Sequence, residues 1–168
     1  MIGRDYCTMM ARYNMWQNSQ LSGFLEGLEP AELTKDRGAF FGSIQQTLGH
    51  LMWGDHIWIS RFDGGDAPSG GIPDSAESIG TLDQWQENRA AMDQRILLWA
   101  KDVKSEFLQQ DMTWFSGAMG CDVTRPVTML VTQMFNHQTH HRGQVHAMLT
   151  AAGSKAPVSD VFFMPDAV

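Results

Sequence analysis

Cysteine is scarce in this 168-residue chain: its two copies, Cys7 and Cys121, form no C-x-x-C motif. A zinc ribbon and a dithiol redox centre are therefore both excluded. Basic residues are also few, since twelve Lys and Arg stand against nineteen Asp and Glu and give a formal charge of −7. This balance disfavours binding to a nucleic-acid backbone, which needs clustered positive charge.

Long apolar runs are missing as well. No stretch approaches the roughly 18 apolar residues of a membrane span, and the first residues, Met1 to Cys7, contain no apolar signal core. We therefore expect a cytoplasmic protein with neither membrane nor nucleic acid as a partner. The composition, 43% hydrophobic and 18% charged, is globular, and the length suits a single domain over residues 1–168.

Helical periodicity predicts four long helices. Apolar residues recur at helical spacing from about Asp5 to Leu28, Ser43 to Phe62, Thr81 to Val103, and from near Thr124, with Pro126 in the first turn, to a cap at Gly153. Glycine and proline predict a loop over residues 63–80, and the segment between Asp111 and Arg125 predicts a short hairpin or extended loop. The fold class is all-α, a four-helix bundle with long connections between helices 2 and 3 and between helices 3 and 4.

Two of the six histidines share one face of the fourth helix. His137 and His141 are four residues apart, and the other residues of their row are apolar: Leu130, Met134, Val145 and Met148. His140 falls on the neighbouring polar row. An unpaired buried polar group costs roughly 1–3 kcal/mol, so the two imidazoles need partners. A metal ion would satisfy both, and so would ordinary hydrogen bonds in the core; the spacing alone leaves both open.

His50, on the second helix, is the best candidate for a third ligand. Gly49 and Gly54 flank it and leave room for a neighbouring helix, although each glycine costs about 1 kcal/mol of helix propensity. The residue after His137 is Gln138, so the glutamate of the metalloprotease H-E-x-x-H motif is missing. We expect His56 and His146 at the surface or in a second layer.

Other residues have two interpretations each. Asp55 is a carboxylate on an apolar row. It either assists the site as a hydrogen-bond acceptor or general base, or forms a salt bridge to an arginine such as Arg12 or Arg142, and we favour the salt bridge. Arg142 either orients a carboxylate substrate or forms a structural ion pair, again the favoured interpretation. Tyr13 and Trp16 either line a pocket or belong to the core, as their helical spacing favours.

Three segments carry a resemblance to a known family. Tyr13–Asn18 is similar to a first-helix Y-N-x-W-x-N signature, residues 36–44 with His50 and Leu51 resemble the lead-in to a second-helix histidine, and Phe135–His146 is similar to a fourth-helix motif. Together these segments resemble the DinB/YfiT-like family of metal-dependent proteins, which is unrelated to the DNA polymerase of the same name. The resemblance spans nearly the whole chain.

The resemblance implies an up-down-down-up four-helix bundle, a homodimer, and a site for a divalent metal, commonly nickel or zinc. By position the metal ligands are His50, His137 and His141. Ligand type alone suits zinc, nickel, copper or iron almost equally. The family's name refers to damage induction, and its relatives include S-transferases that use thiols such as bacillithiol or mycothiol.

Three protein ligands leave at least one coordination position open, which favours catalysis over a structural site. The resemblance to thiol-dependent S-transferases implies an enzyme of the S-transferase or hydrolase type that activates water or a small thiol, with a small thiol or electrophile as its partner. The alternative is a non-catalytic, stress-related metal-binding or ligand-sensing dimer. A third possibility is an interaction domain whose histidines hold no ion.

Overall fold

Four long helices dominate the computed structural model, which describes residues 2–76 and 79–166. They are α1 (Arg4–Glu26), α3 (Ile44–Asp63), α4 (Leu82–Asp102) and α6 (Val127–Ala151). Helix α1 packs against α4 and α3 packs against α6, with further contacts between α3 and α4 and between α1 and α6. The chain is therefore mostly helical, as predicted, while the up-down-down-up order stays a prediction of the resemblance.

Shorter elements fill the connections. Helix α2 (Pro30–Thr34) has Pro30 in its first turn, and α5 (Ser105–Leu108) precedes the antiparallel strands β1 (Asp111–Ser116) and β2 (Cys121–Pro126). Single 3-10 turns occur at Ile72–Asp74 and Val161–Phe163. The sequence predicted neither α2 nor α5, since four or five residues are too short to show helical periodicity.

Local hydrogen bonds account for the helix boundaries. The Ser43 hydroxyl accepts a hydrogen bond from the Gln46 N–H at the start of α3, and α3 ends at Gly64, whose φ of 73° is the left-handed conformation of a C-terminal cap. Thr81 and Gln84 form a capping box at the start of α4. The first three long helices begin and end within two residues of their predicted bounds.

The fourth long helix begins later than the sequence predicts. Residues Thr124 to Pro126 pair with Asp111 to Thr113 in the hairpin, so α6 starts at Val127 and not near Thr124. The hairpin itself confirms one of the two structures expected for this segment, and Trp114 lies opposite Val123 in its ladder. At the other end α6 stops at Ala151, just before Gly153 with its φ of 78°.

Two apolar clusters form the core, and a layer of polar side chains lies between them along all four long helices. One cluster contains Ile59, Ile96 and Phe135, and the other contains Leu48, Trp85 and Leu149. The polar layer is defined here as these buried residues of α1, α3, α4 and α6: Asn14, Asn18, Asp55, Arg89, Asp93, Gln138 and Arg142. The three candidate histidines lie at the same level of α3 and α6.

Candidate metal centre

The structure brings His50, His137 and His141 together. His50 comes from α3, and the other two are one turn apart on α6. The Nε2 atom of His137 is 3.1 Å from the Nε2 of His50 and 3.1 Å from the Nε2 of His141. One nitrogen from each ring lies within 4.8 Å of the others, and in the described residues no carboxylate or thiol joins this group. We call these three residues the histidine triad.

A glycine allows the two helices to approach closely enough for this contact. A Cβ atom at Gly54 would lie only 2.8 Å from Cε1 of His137 and 3.2 Å from its Nδ1. Any larger residue at position 54 would push the imidazole away from His50. The sequence-based interpretation that Gly54 leaves room for a neighbouring helix is therefore confirmed, and the neighbour is a member of the triad.

Hydrogen bonds at the outer ring nitrogens decide which atoms carry protons. The Nδ1 of His50 is 2.7 Å from the Ser75 hydroxyl, which donates its one proton to the carbonyl oxygen of Ile72. Ser75 therefore accepts from Nδ1–H of His50. The Nδ1 of His141 likewise donates to the amide oxygen of Gln144 at 2.8 Å. In the neutral rings both Nε2 atoms are consequently unprotonated, with lone pairs that can ligate an ion.

The histidines of the triad are neutral at physiological pH. Burial, followed by the charges of His137 and His141, lowers the pKa of His50 to about 4. Burial and then His141 lower the pKa of His137 to about 4, although Asp55 acts in the opposite direction. Burial also lowers the pKa of His141, against the hydrogen bond that His141 donates to Gln144. A metal ligand must be unprotonated, so these shifts prepare the site for an ion near pH 7.

Two of the three nitrogen–nitrogen distances match those around a single divalent ion. Nitrogens that bind one ion at about 2.0–2.1 Å, with angles between 90° and tetrahedral, lie about 2.9–3.4 Å apart. The separations of His137 from His50 and from His141, 3.1 Å each, fall within that range, and the third pair lies within 4.8 Å. Without an ion, the Nε2 atoms of His50 and His141 are both hydrogen-bond acceptors, and among the described residues the one donor beside them is the Nε2–H of His137. That single N–H group cannot fully satisfy both acceptors. The donor set and its geometry therefore suit a metal better than a hydrogen-bonded core.

Comparison with known proteins shows the family of this chain. The model of the DinB family matches residues 4–167. The chain belongs to the DinB family. It is 25% identical over 161 residues to Protein DinB of Bacillus subtilis (strain 168), an alignment that covers 93% of this chain and 91% of that protein.

Aromatic rings surround the triad of this DinB-family protein. Phe41 stacks on His50 with 4.1 Å between ring centroids and an interplanar angle of 26°, and its centroid is 5.5 Å from that of His141. Phe40, which is 84% exposed, packs edge-on against Phe41. His140 is exposed and packs edge-on against His141, so it lies at the edge of the site, as the polar row predicts.

Asp55 forms a salt bridge, as favoured, but its partner was predicted wrongly. Its Oδ2 accepts from Arg89 at 2.6 Å, and its Oδ1 accepts from Gln138 at 2.9 Å. Neither Arg12 nor Arg142 is its ion-pair partner: Arg12 donates to backbone oxygens of Pro165 and Asp166 instead. Asp55 makes no hydrogen bond to the triad, although its charge is close enough to raise the pKa of His137.

The polar layer joins α1 to the helices beside it. Asp93 accepts hydrogen bonds from Asn14 at 3.0 Å and Asn18 at 2.8 Å, and forms an ion pair with Arg89 at 2.8 Å. Asn14 in turn accepts from Arg142 of α6. These contacts give a physical role to the two asparagines of the Y-N-x-W-x-N segment, since they hold α1 at a fixed level against α4 and α6.

The structural ion pair predicted for Arg142 does not form with any described residue. Its guanidinium donates to Asn14 and lies 5.7 Å from the centroid of the Tyr13 ring. Burial lowers the pKa of Arg142 to about 10, which leaves it charged near pH 7. Tyr13 is buried, and its hydroxyl donates to the backbone oxygen of Ser159, whereas Trp16 is half-buried beside it. Neither aromatic residue contacts the triad.

The remaining histidines lie outside the triad. His56 contacts Asp66 at the surface, with its Nε2 3.0 Å from the backbone oxygen and 3.2 Å from the carboxylate. His146 is half-buried and lines a small cavity beside Arg142. Both positions agree with the expected surface or second-layer location.

Sequence reasoning missed the groups that orient the ligands. Gln144 follows His141 by three residues on the same helix, so the i, i+3 spacing was a usable signal. Ser75 lies in the glycine- and proline-rich connection, 25 residues from His50, where no periodic pattern points to it. Phe41 directly precedes the segment that caps α3, and only the path of the chain brings its ring onto His50.

Proposed function

We propose that this DinB-family protein is a divalent-metal-dependent enzyme, with His50, His137 and His141 as the metal ligands. The observation that carries the proposal is the convergence of three imidazoles: the Nε2 of His137 is 3.1 Å from the Nε2 of His50 and of His141, one nitrogen from each ring lies within 4.8 Å of the others, and the Nδ1–H groups of His50 and His141 are committed to Ser75 and Gln144. Nickel or zinc is the proposed ion, because imidazole suits both and the family resemblance favours them.

Three protein ligands leave at least one coordination position for a reactant. When bound, the ion would lower the pKa of a water or thiol, or polarise a carbonyl. The protein's own residues position the ligands and shield one of them from water. Gly54 lets α6 approach α3, and Ser75 and Gln144 fix the ring orientations of His50 and His141. Phe41 covers the ring of His50. Within residues 2–76 and 79–166 no carboxylate joins the triad.

The proposed reaction is the attack of an activated small thiol on an electrophile, or hydrolysis by activated water. Neutral histidine ligands leave the charge of a divalent ion uncompensated, which favours binding of an anionic thiolate or hydroxide. The exposed ring of Phe40 beside Phe41 offers an apolar surface for the second reactant next to the triad. The homodimer and the cytoplasmic location remain predictions from the sequence.

A thiol-transfer screen tests this function. Protein loaded with nickel or zinc is incubated with bacillithiol, mycothiol or cysteine and a chloronitroaromatic electrophile, and thiol consumption is followed beside the hydrolysis of activated esters. We expect turnover by the loaded wild type and background rates for loaded His50→Ala, with His140→Ala as the matched control that retains turnover. A protein that binds its metal but turns over none of these substrates would favour the metal-binding or ligand-sensing alternative.

A further inference from the structure

A small cavity lies between α1, α6 and the segment that follows α6. Its volume is about 140 Å³, and its lining includes Tyr13, Leu21, Arg142, His146 and Pro157. Liquid water occupies about 30 Å³ per molecule, so this space can hold a few waters or one small organic ion. The histidine triad lies between α3 and α6, and the cavity is therefore a separate site.

Arg142 is buried here without a counter-ion in contact. It is 8% exposed, and to the described residues its guanidinium, which carries five N–H groups, makes one hydrogen bond, to the amide oxygen of Asn14, while the charges of Asp55 and Asp93 act on it from farther away. Within residues 2–76 and 79–166 no carboxylate oxygen lies within 4 Å of it. Arg89 in the same polar layer differs, since it pairs with Asp55 at 2.6 Å and Asp93 at 2.8 Å. A buried charge normally has such a partner.

Two other polar side chains of the cavity, Tyr13 and Gln17, already donate to backbone oxygens. The Tyr13 hydroxyl donates to the backbone oxygen of Ser159 at 2.6 Å, and the Gln17 amide donates to that of Val158 at 2.6 Å. Arg142 is the one permanently charged side chain in the lining. The ring of Tyr13, with Leu21 and Pro157, provides the apolar part of the wall.

These features define the chemistry of a ligand. One guanidinium neutralises one negative charge, and a dianion would bring a second, uncompensated charge into a buried site of an acidic protein. The planar fork of arginine matches a carboxylate, which it can bind through two parallel hydrogen bonds. The apolar wall and the small volume leave room for one or two carbon atoms beyond the carboxylate.

We propose that this cavity is a binding site for a short monocarboxylate, with acetate or propionate as the fitting size. The carboxylate contacts the guanidinium of Arg142, and the alkyl end packs against Tyr13 and Leu21. This site is independent of the metal centre, so its ligand is bound whether or not the triad holds an ion.

Titration with sodium acetate tests the proposal. Ionic strength is held constant with sodium HEPES, whose sulfonate ion is too large for the cavity, and binding is measured by calorimetry. We expect saturable binding of one acetate per chain and weaker binding of inorganic phosphate. Arg142→Gln should lose at least about tenfold in affinity, as expected for a hydrogen bond to a charged group. Arg125→Gln removes an exposed positive charge and should bind as the wild type does.

A measurement on the unaltered protein keeps the test decisive if Arg142→Gln does not fold. The chain has two tyrosines, Tyr6 and Tyr13, so intermolecular nuclear Overhauser effects from the acetate methyl group can be assigned. We expect effects to the ring of Tyr13 and none to that of Tyr6. The proposal is wrong if the wild type binds no acetate saturably, if the Tyr13 effects are missing, or if phosphate binds as tightly as acetate.

Discussion

Replacing Gly54 with alanine should damage the metal site without touching any ligand. The added Cβ would lie 2.8 Å from Cε1 of His137, whereas ordinary contact begins near 3.4 Å. The imidazole or α3 must therefore move by roughly 0.6 Å, about three times the ±0.2 Å that metal–ligand distances tolerate. Because Cε1 is bonded to Nε2, most of this displacement reaches the ligating atom. We expect metal affinity to fall by about 10–100-fold, as when the support of a ligand is lost.

The matched control is Gly23→Ala on α1. Gly23 is also an interior helical glycine, but a Cβ there meets nothing within 4 Å. Alanine is the better helix former, so Gly23→Ala should stabilise the fold by about 0.5–1 kcal/mol and leave metal affinity unchanged. In Gly54→Ala the same gain in helix propensity is opposed by the contact with His137.

Metal affinity would be measured by competition with a chromophoric chelator, and folding by urea unfolding followed by circular dichroism. Folded Gly54→Ala protein that binds the ion within a factor of two of the wild type would refute the reasoning. Such a result would mean that the close approach of His137 to α3 does not set the position of a metal ligand.

Three further predictions concern the surroundings of the triad. Ser75→Ala should weaken metal binding by about 10–100-fold, because Nδ1 of His50 loses its acceptor. The control is Ser69→Ala, at an exposed serine, and equal metal affinities of the two variants in chelator competition would contradict this role. Asp55→Asn should destabilise the fold by about 1.5–3 kcal/mol in urea unfolding, because Arg89 loses one of its two charged acceptors and keeps Asp93. Asp63→Asn at the surface should cost about 1 kcal/mol or less, and similar losses in the two variants would count against a buried pair. Folding lowers the pKa of His50 and of His137 from 6.5 to about 4. Between pH 4 and pH 6.5 the unfolded chain therefore binds more protons than the folded one, so the metal-free protein should lose stability as pH falls through this range. His50→Gln should flatten that dependence, and an unchanged slope would argue against the burial of His50 as its cause.

The sequence predicts the long helices and the triad for the same reason: both depend on local spacing. Apolar residues at helical intervals define α1, α3, α4 and α6, and His137 and His141 share a face of α6 by the same rule. His50 was the best candidate for a third ligand because two glycines flank it, and the resemblance agreed, although no spacing links it to a residue 87 positions away. The structure then brings the three rings together without any change to the predicted set.

Local sequence patterns do not determine which residues of different helices and strands contact each other. A carboxylate on an apolar row is expected to pair with a basic side chain, and Asp55 does so. The packing of α3 against α4 makes that partner Arg89 and not Arg12 or Arg142. The start of α6 was placed about three residues too early because Thr124 and Pro126 satisfy the local rules for a helix start, while pairing with β1 holds them in a strand. The polar layer is likewise a property of four helices seen together.

Metal content tests the central claim most directly. Protein purified without a His-tag and reconstituted with nickel or zinc is analysed for metal per chain, beside His50→Ala, His137→Ala and the exposed control His140→Ala. The account predicts about one ion per chain in the wild type and in His140→Ala, and loss of the ion from both triad variants. A wild type that holds no ion after reconstitution, or triad variants that retain theirs, would contradict a metal site shared by α3 and α6.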